Sequence, residues 1–231
     1  MRFGSYDAKR AMKKVKVITH IILLGPQGSG KGTQAEQIAR TLRLVHIETG
    51  ALIRTQITRR TSLGKRIASI VNRQGKLIPD TLVARILAQK LQRVPRSTGV
   101  VFDGFPRTLT QARILDGLLK RMKRQLTQVI YLPISQRTTV RRLSHRRVCQ
   151  RCGTPWIAGT TIGAHTKNCP RCKGMIVQRD DDKPKTIKKR LREYLRKTLP
   201  IVSLYRSRGI LAEVNGEPPI GAVWRKVKKI I

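Results

Sequence analysis

Acidic residues are scarce in this sequence. Its 231 residues include 12 Asp and Glu against 50 Lys and Arg, which gives a formal net charge of +38 at pH 7. Positive charge at this density opposes compaction by self-repulsion, so it implies a polyanionic partner or bound counterions. Hydrophobic residues still make up 39% of the chain, which is enough for a packed core. The composition is therefore that of a globular protein with a cationic exterior.

Long apolar runs are also missing. No stretch approaches the roughly 18 apolar residues that a membrane-spanning helix needs, so no membrane association is predicted. Residues 1–16 are basic and contain no continuous apolar segment, which disfavours a secretory signal. We interpret them as a basic arm that contacts an acidic partner, with a short organelle-targeting segment as the alternative. A cytoplasmic location is expected on the first interpretation and an organellar matrix on the second.

Aromatic residues make up only 4% of the chain, too few for the stacking platforms that bind single-stranded nucleic acid. A dense cationic surface with few aromatics favours contact with the backbone of folded RNA, including ribosomal RNA. The segments predicted to make this contact are the N-terminal arm, the basic helix over 183–197, and residues 226–229.

Cysteine is confined to one short region. Cys149, Cys152, Cys169 and Cys172 form two CxxC pairs separated by sixteen residues. Without a secretory signal, this spacing indicates a metal site with four thiolate ligands more than a disulfide framework. His165 is an alternative ligand. Four thiolates leave no open coordination position, so the metal is expected to be structural, and zinc and iron both suit the site.

Short apolar runs that predict strands alternate with segments of helical periodicity. The predicted strands are 17–25, 44–47, 99–103, 128–134 and 210–217. This alternation predicts an α/β fold with a parallel sheet and helices on both of its faces. The cysteine segment, about 148–178, interrupts the alternation and is predicted to be an insertion.

The segment GPQGSGKGT follows the first strand and precedes a helix, which is the context of a phosphate-binding loop. Glycines let backbone N–H groups turn towards phosphate oxygens, and the helix N-terminus adds its dipole. Glycine occupies the position after Lys31 where Ser or Thr is expected. The predicted phosphate-binding residues are Gly25, Gly28, Ser29, Gly30, Lys31, Gly32 and Thr33.

This loop resembles that of the adenylate kinases, and the resemblance continues in order through residues 17–231. The other matching segments are ETGALIR (48–54), GKLIPDTLV (75–83), FDGFPRTLTQA (102–112), RRLSHRRVCQRCG (141–153), CPRCKG (169–174) and QRDDDKPKTIKKRL (178–191). The resemblance implies a P-loop kinase fold with a central parallel sheet flanked by helices and a small zinc-binding lid. It implies a core at 17–48, 79–141 and 180–231, a monophosphate-binding segment at 49–78, and a lid at 142–179.

The resemblance also implies an activity, reversible phosphoryl transfer from ATP to AMP that gives two ADP in a monomeric enzyme. Asp103 would hold Mg²⁺ through its water shell, and the four cysteines would hold structural Zn²⁺. The implied catalytic residues are Lys31, Arg107, Arg142, Arg146, Arg179 and Arg190, of which Arg142 and Arg146 also bind ATP. The implied AMP-binding residues are Thr49, Arg54, Leu77, Ile78, Gly104, Arg107, Gln111, Arg179 and Arg190.

Two departures from the family pattern lie on the AMP side. Glu48 stands where the family has a small hydroxyl residue, and Ala51 replaces the aspartate of its STGD segment. Loss of that carboxylate predicts a change in how Arg54 is oriented and in the affinity for the monophosphate.

The net charge is the third departure, and the remaining acids lie mainly at motif positions such as Asp80, Asp103 and Asp182. Three explanations compete. The chain is a working kinase docked on RNA, or an RNA-binding or ribosome-associated scaffold with vestigial nucleotide binding, or a kinase whose surface charge has no specific partner.

Overall fold

The computed structural model describes residues 18–74, 78–179 and 182–231. The strands are β1 His20–Leu24, β2 Val45–Glu48, β3 Val100–Asp103, β4 Gln128–Tyr131, β5 Arg146–Cys149, β6 Pro155–Ile157, β7 Ile176–Val177 and β8 Leu211–Glu213. The helices are α1 Lys31–Leu42, α2 Thr49–Thr58, α3 Ser62–Gln74, α4 Asp80–Gln92, α5 Leu109–Arg121, α6 Gln136–Ser144, α7 Pro184–Glu193, α8 Leu199–Ser207 and α9 Ile220–Val227. Within the described ranges, no helix is long and apolar enough to cross a membrane.

Five strands form the main sheet in the order β2-β3-β1-β4-β8, and every neighbouring pair is parallel. The alternation of strands and helices therefore gives the predicted fold class. Strand β1 lies at the centre, and the chain leaves it towards β2 on one side and reaches β4 on the other. Ligands of such sheets bind at the carboxyl ends of the strands where the order reverses, which here is the end of β1.

The two faces of the main sheet carry separate cores, because successive side chains of a strand point to opposite sides. Ile22 on β1 and Phe102 on β3 pack on one face among residues of α4, α5 and α8. Ile21 and Val101 pack on the other face among residues of α1 and α9. Burial on both faces explains why the strand sequences are continuous apolar runs.

The cysteine segment forms its own small antiparallel sheet in the order β6-β5-β7. It lies between α6 and α7, two helices that pack against each other. The sequence that interrupts the strand–helix alternation thus folds as an insertion beside the main sheet.

The sequence predicts helix through 183–209, and the structure interrupts that helix with a wider π-helical turn, Tyr194–Thr198. The Leu199 N–H donates to the Tyr194 carbonyl, five residues back. Pro200 follows and has no N–H to continue the regular α-helical pattern. Such turns occur frequently at functional sites, and here the Thr198 hydroxyl donates to the Arg107 carbonyl oxygen at 2.9 Å.

Candidate active site

A glycine-rich turn joins β1 to α1 at the carboxyl end of the central strand. Gly25, Gly28 and Gly30 have φ angles of 147°, 81° and 87°, values that glycine adopts without the strain of a side chain. At Gly25 a Cβ would lie 2.5 Å from the Leu132 carbonyl oxygen, so a larger residue does not fit. The turn brings the unpaired N–H groups at the start of α1 to the end of the sheet, where they can bind an anion.

Lys31 opens α1, and its side chain folds back over the turn. Its Nζ donates to the carbonyl oxygens of Gly25 at 2.8 Å and Pro26 at 2.7 Å, and lies 3.5 Å from the Ser29 hydroxyl. These contacts hold the ammonium group against the loop. Gly32 and Thr33 follow in the first turn of α1.

Positive charges converge on Lys31. Burial lowers the pKa of Lys31 to about 8, while the Asp103 carboxylate raises it and the guanidinium groups of Arg107, Arg146 and Arg190 lower it further. Nearby positive charges disfavour protonation of a lysine. A bound polyphosphate would add negative charge beside Lys31 and raise its pKa.

Asp103 ends β3 beside the glycine-rich turn and is only 7% exposed. Its Oδ2 lies 3.8 Å from Nε2 of His46 on the neighbouring strand. A Cβ at Gly32 would come within 3.2 Å of the same Oδ2, so the glycine keeps the carboxylate close to the start of α1. A carboxylate here suits Mg²⁺, a hard cation that proteins bind through one or two carboxylates together with water and substrate phosphates.

Two arginines, one on β5 and one on α7, share one buried carboxylate. Arg146 Nε and Nη2 each donate to Asp182 at 2.7 Å, and Arg190 Nη1 donates to the same side chain at 3.4 Å. Asp182 is fully buried, and its backbone N–H donates to the Arg179 carbonyl oxygen at 3.0 Å. The forked pair with Arg146 fixes the guanidinium plane, so Asp182 orients two of the arginines that lower the pKa of Lys31.

Arg142 on α6 links two loops. Its guanidinium donates to the carbonyl oxygens of Gly28 at 3.2 Å, Gly216 at 2.9 Å and Glu217 at 2.7 Å. Burial lowers the pKa of Arg142 and the Glu217 carboxylate raises it. The side chain therefore joins the glycine-rich turn to the loop between β8 and α9.

The other side of the site begins at the end of β2. Thr49 is buried, and its hydroxyl has no hydrogen-bond partner among the described residues. A buried polar atom without a partner is uncommon and suggests a missing ligand. Arg54, one turn along α2, donates from Nη2 to Glu48 Oε1 at 2.8 Å.

The segment after β3 is tied to the start of α4. Gln111 accepts the Arg107 N–H at 2.7 Å and donates to Asp80 Oδ1 at 2.7 Å. The Thr108 hydroxyl donates to Asp80 Oδ2 at 2.7 Å. Arg107 Nε donates to the carbonyl oxygen of Gly104 at 2.8 Å. This network holds Arg107 at the edge of the sheet.

Ile78 packs against the core of this side, whereas Leu77 lies outside the described residues. The Gly104 φ of 77° brings its Cα close to the Arg107 guanidinium, because a Cβ there would lie 3.1 Å from Arg107 Nη2.

The four cysteines of the small sheet come together as the spacing predicts. All four Sγ atoms lie within 4.8 Å of one another, with Cys149 and Cys172 at 3.4 Å and Cys152 and Cys169 at 3.8 Å. None is in a disulfide. Tetrahedral coordination at about 2.3 Å per thiolate requires sulfur–sulfur separations of about 3.8 Å. The cluster therefore fits a metal ion, and His165 is not part of it.

Comparison with known proteins identifies this arrangement. A family model described as adenylate kinase matches residues 23–210. The adenylate kinase of Dehalococcoides mccartyi is 41% identical over 212 residues, covering 92% of this chain and 97% of that protein. The adenylate kinase of Archaeoglobus fulgidus is 36% identical over 212 residues, covering 92% of this chain and 97% of that protein. That of Kosmotoga olearia is 38% identical over 210 residues, covering 91% of this chain and 97% of the relative.

The chain belongs to the adenylate kinase family. It is therefore an enzyme of the nucleoside monophosphate kinase class. The family implies nucleotide substrates and Mg²⁺ bound with ATP. The predictions of family, enzyme class and P-loop kinase fold are confirmed, while the roles of single residues stay predictions.

Sequence reasoning missed three contacts of this adenylate kinase family member. The motif containing Asp182 predicts no role for it, yet the structure shows that it binds two arginines. The motif containing Asp80 does not predict its hydrogen bond with Gln111. The sequence does not predict the Glu48–Arg54 ion pair, although the acid at an unusual position is a signal for it.

We predict that the purified chain binds about one metal ion through its four thiolates. Replacing Cys149 and Cys172 together with serine should abolish binding, because two thiolates cannot hold the ion against water. Elemental analysis of the purified protein measures this and separates zinc from iron. Met175→Ala is the matched control, since Met175 is an exposed sulfur of the same lid and should leave metal content unchanged. Disulfides found by mass spectrometry under non-reducing conditions, with no metal bound, would contradict the prediction.

Proposed function

We propose that this chain catalyses reversible transfer of the γ-phosphoryl group from ATP to AMP, giving two ADP. The observation that supports this most directly is the glycine-rich turn at the carboxyl end of β1, where Lys31 Nζ is held against the loop, together with Arg146 and Arg190, which share the Asp182 carboxylate. One cationic cluster at the carboxyl ends of the strands suits a reaction between two phosphate-bearing substrates.

The reaction needs no protein nucleophile. An oxygen of the AMP phosphate forms a new bond to the γ-phosphorus as the bond from that phosphorus to the β,γ-bridging oxygen breaks, and ADP leaves with the electron pair. Negative charge on the transferring group and the leaving oxygen is then stabilised by fixed cations. Lys31, Arg107, Arg146, Arg179 and Arg190 would supply those cations in this chain.

On the ATP side, the glycine-rich turn would bind phosphate oxygens through its backbone N–H groups and Lys31. Arg142 and Arg146 would complete this subsite. Asp103 would hold Mg²⁺ through water, and the ion, when bound, neutralises and orients the β- and γ-phosphates. The donor residues proposed are Gly25, Gly28, Ser29, Gly30, Lys31, Gly32, Thr33, Arg142 and Arg146.

On the AMP side, the unpartnered hydroxyl of buried Thr49 supports a ligand at this position. Arg54 and Arg107 would bind the monophosphate, and Gln111 would contact the base with an amide that already holds Asp80 and Arg107 in place. The acceptor residues proposed are Thr49, Arg54, Leu77, Ile78, Gly104, Arg107, Gln111, Arg179 and Arg190.

We propose the division that the sequence predicts, with a basic arm at 1–16, a core at 17–48, 79–141 and 180–231, an AMP-binding segment at 49–78 and a lid at 142–179. Zinc in the four-cysteine cluster would fix a lid too small for a core of its own. We propose a monomer in a reducing, cytoplasmic compartment.

The test is a coupled assay of ADP formation from ATP, Mg²⁺ and AMP with protein freed of nucleic acid. Lys31→Met should lower kcat/KM by about a hundredfold or more, as expected when a fixed group that stabilises transition-state charge is removed. Lys120→Met is the matched control, because Lys120 is an exposed lysine of α5 and should leave turnover unchanged. No turnover by the unmodified chain, or full turnover by Lys31→Met, would overturn the proposal.

We further propose that the exterior docks on folded RNA. The supporting observation is the outer face of α7, where four exposed cations follow at helical spacing with no ion pair among the described residues. They are Lys185, Lys188, Lys189 and Arg192. The opposite face of α7 packs Ile187 and Leu191 into the protein, so the basic face is held outward. The N-terminal arm lies outside the described residues.

Neutralising phosphates releases counterions, so binding must weaken with salt. Changing the four α7 cations to glutamine should reduce the slope of log K against log salt by about three to four for a folded ribosomal RNA fragment. The matched control changes four exposed cations at the α2–α3 corner, Arg59, Arg60, Lys65 and Arg66.

An equal effect of the two fourfold variants would contradict docking through α7 and leave only diffuse attraction. RNA binding by a chain that shows no turnover would instead support the alternative, a kinase fold used as an RNA-binding or ribosome-associated scaffold.

A further inference from the structure

We infer that Glu48 positions Arg54 for the phosphate of the acceptor nucleotide, an inference that rests on the function proposed above. Arg54 Nη2 donates to Glu48 Oε1 at 2.8 Å. Glu48 ends β2, where it pairs in register with Asp103. The ion pair therefore lies at the same edge of the sheet as the carboxylate beside the glycine-rich turn.

The ion pair lies close to Gly50, which has no side chain to obstruct it. A Cβ added there would lie 3.1 Å from Arg54 Nη1 and 3.5 Å from Glu48 Oε1. The pair thus bridges the first turn of α2 directly over a residue without a side chain. The contact favours this position of the guanidinium over one extended along the helix.

The contact leaves the arginine able to bind a phosphate. A guanidinium has five N–H donors, and Glu48 takes one of them. Glu48 is the one hydrogen-bond partner of the Arg54 side chain among the described residues. The free donors can form the charge-assisted bonds that suit a phosphate.

The position of the acid also explains the unusual segment ETGALIR. Ala51 offers no carboxylate to Arg54, and the structure supplies one from three residues earlier in the chain. Glu48 therefore orients Arg54 in place of the aspartate that Ala51 replaces.

The ion pair contributes more to binding than to folding. The Arg54 and Glu48 side chains are 51% and 43% exposed, and ion pairs this exposed add little to stability. Loss of the Glu48 charge should therefore change the affinity for the acceptor and leave thermal unfolding nearly unchanged.

The test measures KM for AMP at saturating ATP, and KM for ATP at saturating AMP. Glu48→Gln keeps the size of the side chain and removes its charge. We expect KM for AMP to rise by about two- to fivefold, the scale of one exposed charged contact, with KM for ATP unchanged. The melting temperature should not change.

Glu213→Gln is the matched control. Glu213 also pairs with an arginine, Arg206, at 2.9 Å and with similar exposure, but it lies on the edge strand β8. This variant should leave both KM values unchanged. Adding Ala51→Asp to Glu48→Gln should restore the AMP affinity, because it returns a carboxylate to the same turn.

An unchanged KM for AMP in Glu48→Gln would overturn the inference. A lower KM would overturn it as well, because it would mean that Glu48 competes with the phosphate for Arg54. If the unmodified chain shows no turnover, the proposed function fails by itself. Calorimetric binding of AMP to the unmodified chain and to Glu48→Gln then still decides the role of Glu48.

Discussion

The candidate active site depends on holding several positively charged side chains near the end of the central strand. The guanidinium groups of Arg107, Arg146 and Arg190 each lower the pKa of Lys31. The structure holds them with buried carboxylates, since Asp182 fixes two of the arginines and Asp103 stabilises the charged form of Lys31. A bound polyphosphate would bring negative charge to Lys31 and favour its protonated form.

The sequence predicts the parts of this site whose geometry is local. The position of Lys31 is set by a strand, a glycine-rich turn and a helix that are consecutive in the sequence. The four sulfur atoms come from two CxxC turns. Asp182 and the arginines it binds lie 36 and 8 residues apart in the chain, so their contact depends on how α7 packs against the lid. The Gln111–Asp80 bond and the interrupted helix before Pro200 likewise depend on tertiary packing. Motif spacing alone does not predict such contacts.

Helix α7 would contact two polyanions under the two proposals. Its inner face carries Arg190 and the apolar side chains that pack into the core, while its outer face carries four cations without an ion pair in the part of the chain that the structure describes. An acid on the outer face would pair with those cations and weaken any docking there. Loss of Asp182, just before α7, would leave Arg146 and Arg190 without the carboxylate that orients them. The distribution of the few acids along the chain is therefore consistent with both proposed roles.

The most direct test of the charge argument is proton uptake on nucleotide binding. Burial among cations sets the pKa of Lys31 near 8, and bound phosphates should raise it towards or above its usual value near 10.4. At pH 8 the free protein lacks about half of this proton, so ATP binding should take up about half a proton. Calorimetry in two buffers of different ionisation enthalpy measures it. We expect the unmodified chain to take up about half a proton on ATP binding. The Lys31→Met variant should lack this contribution. Equal uptake by both proteins, or none by either, would contradict the account.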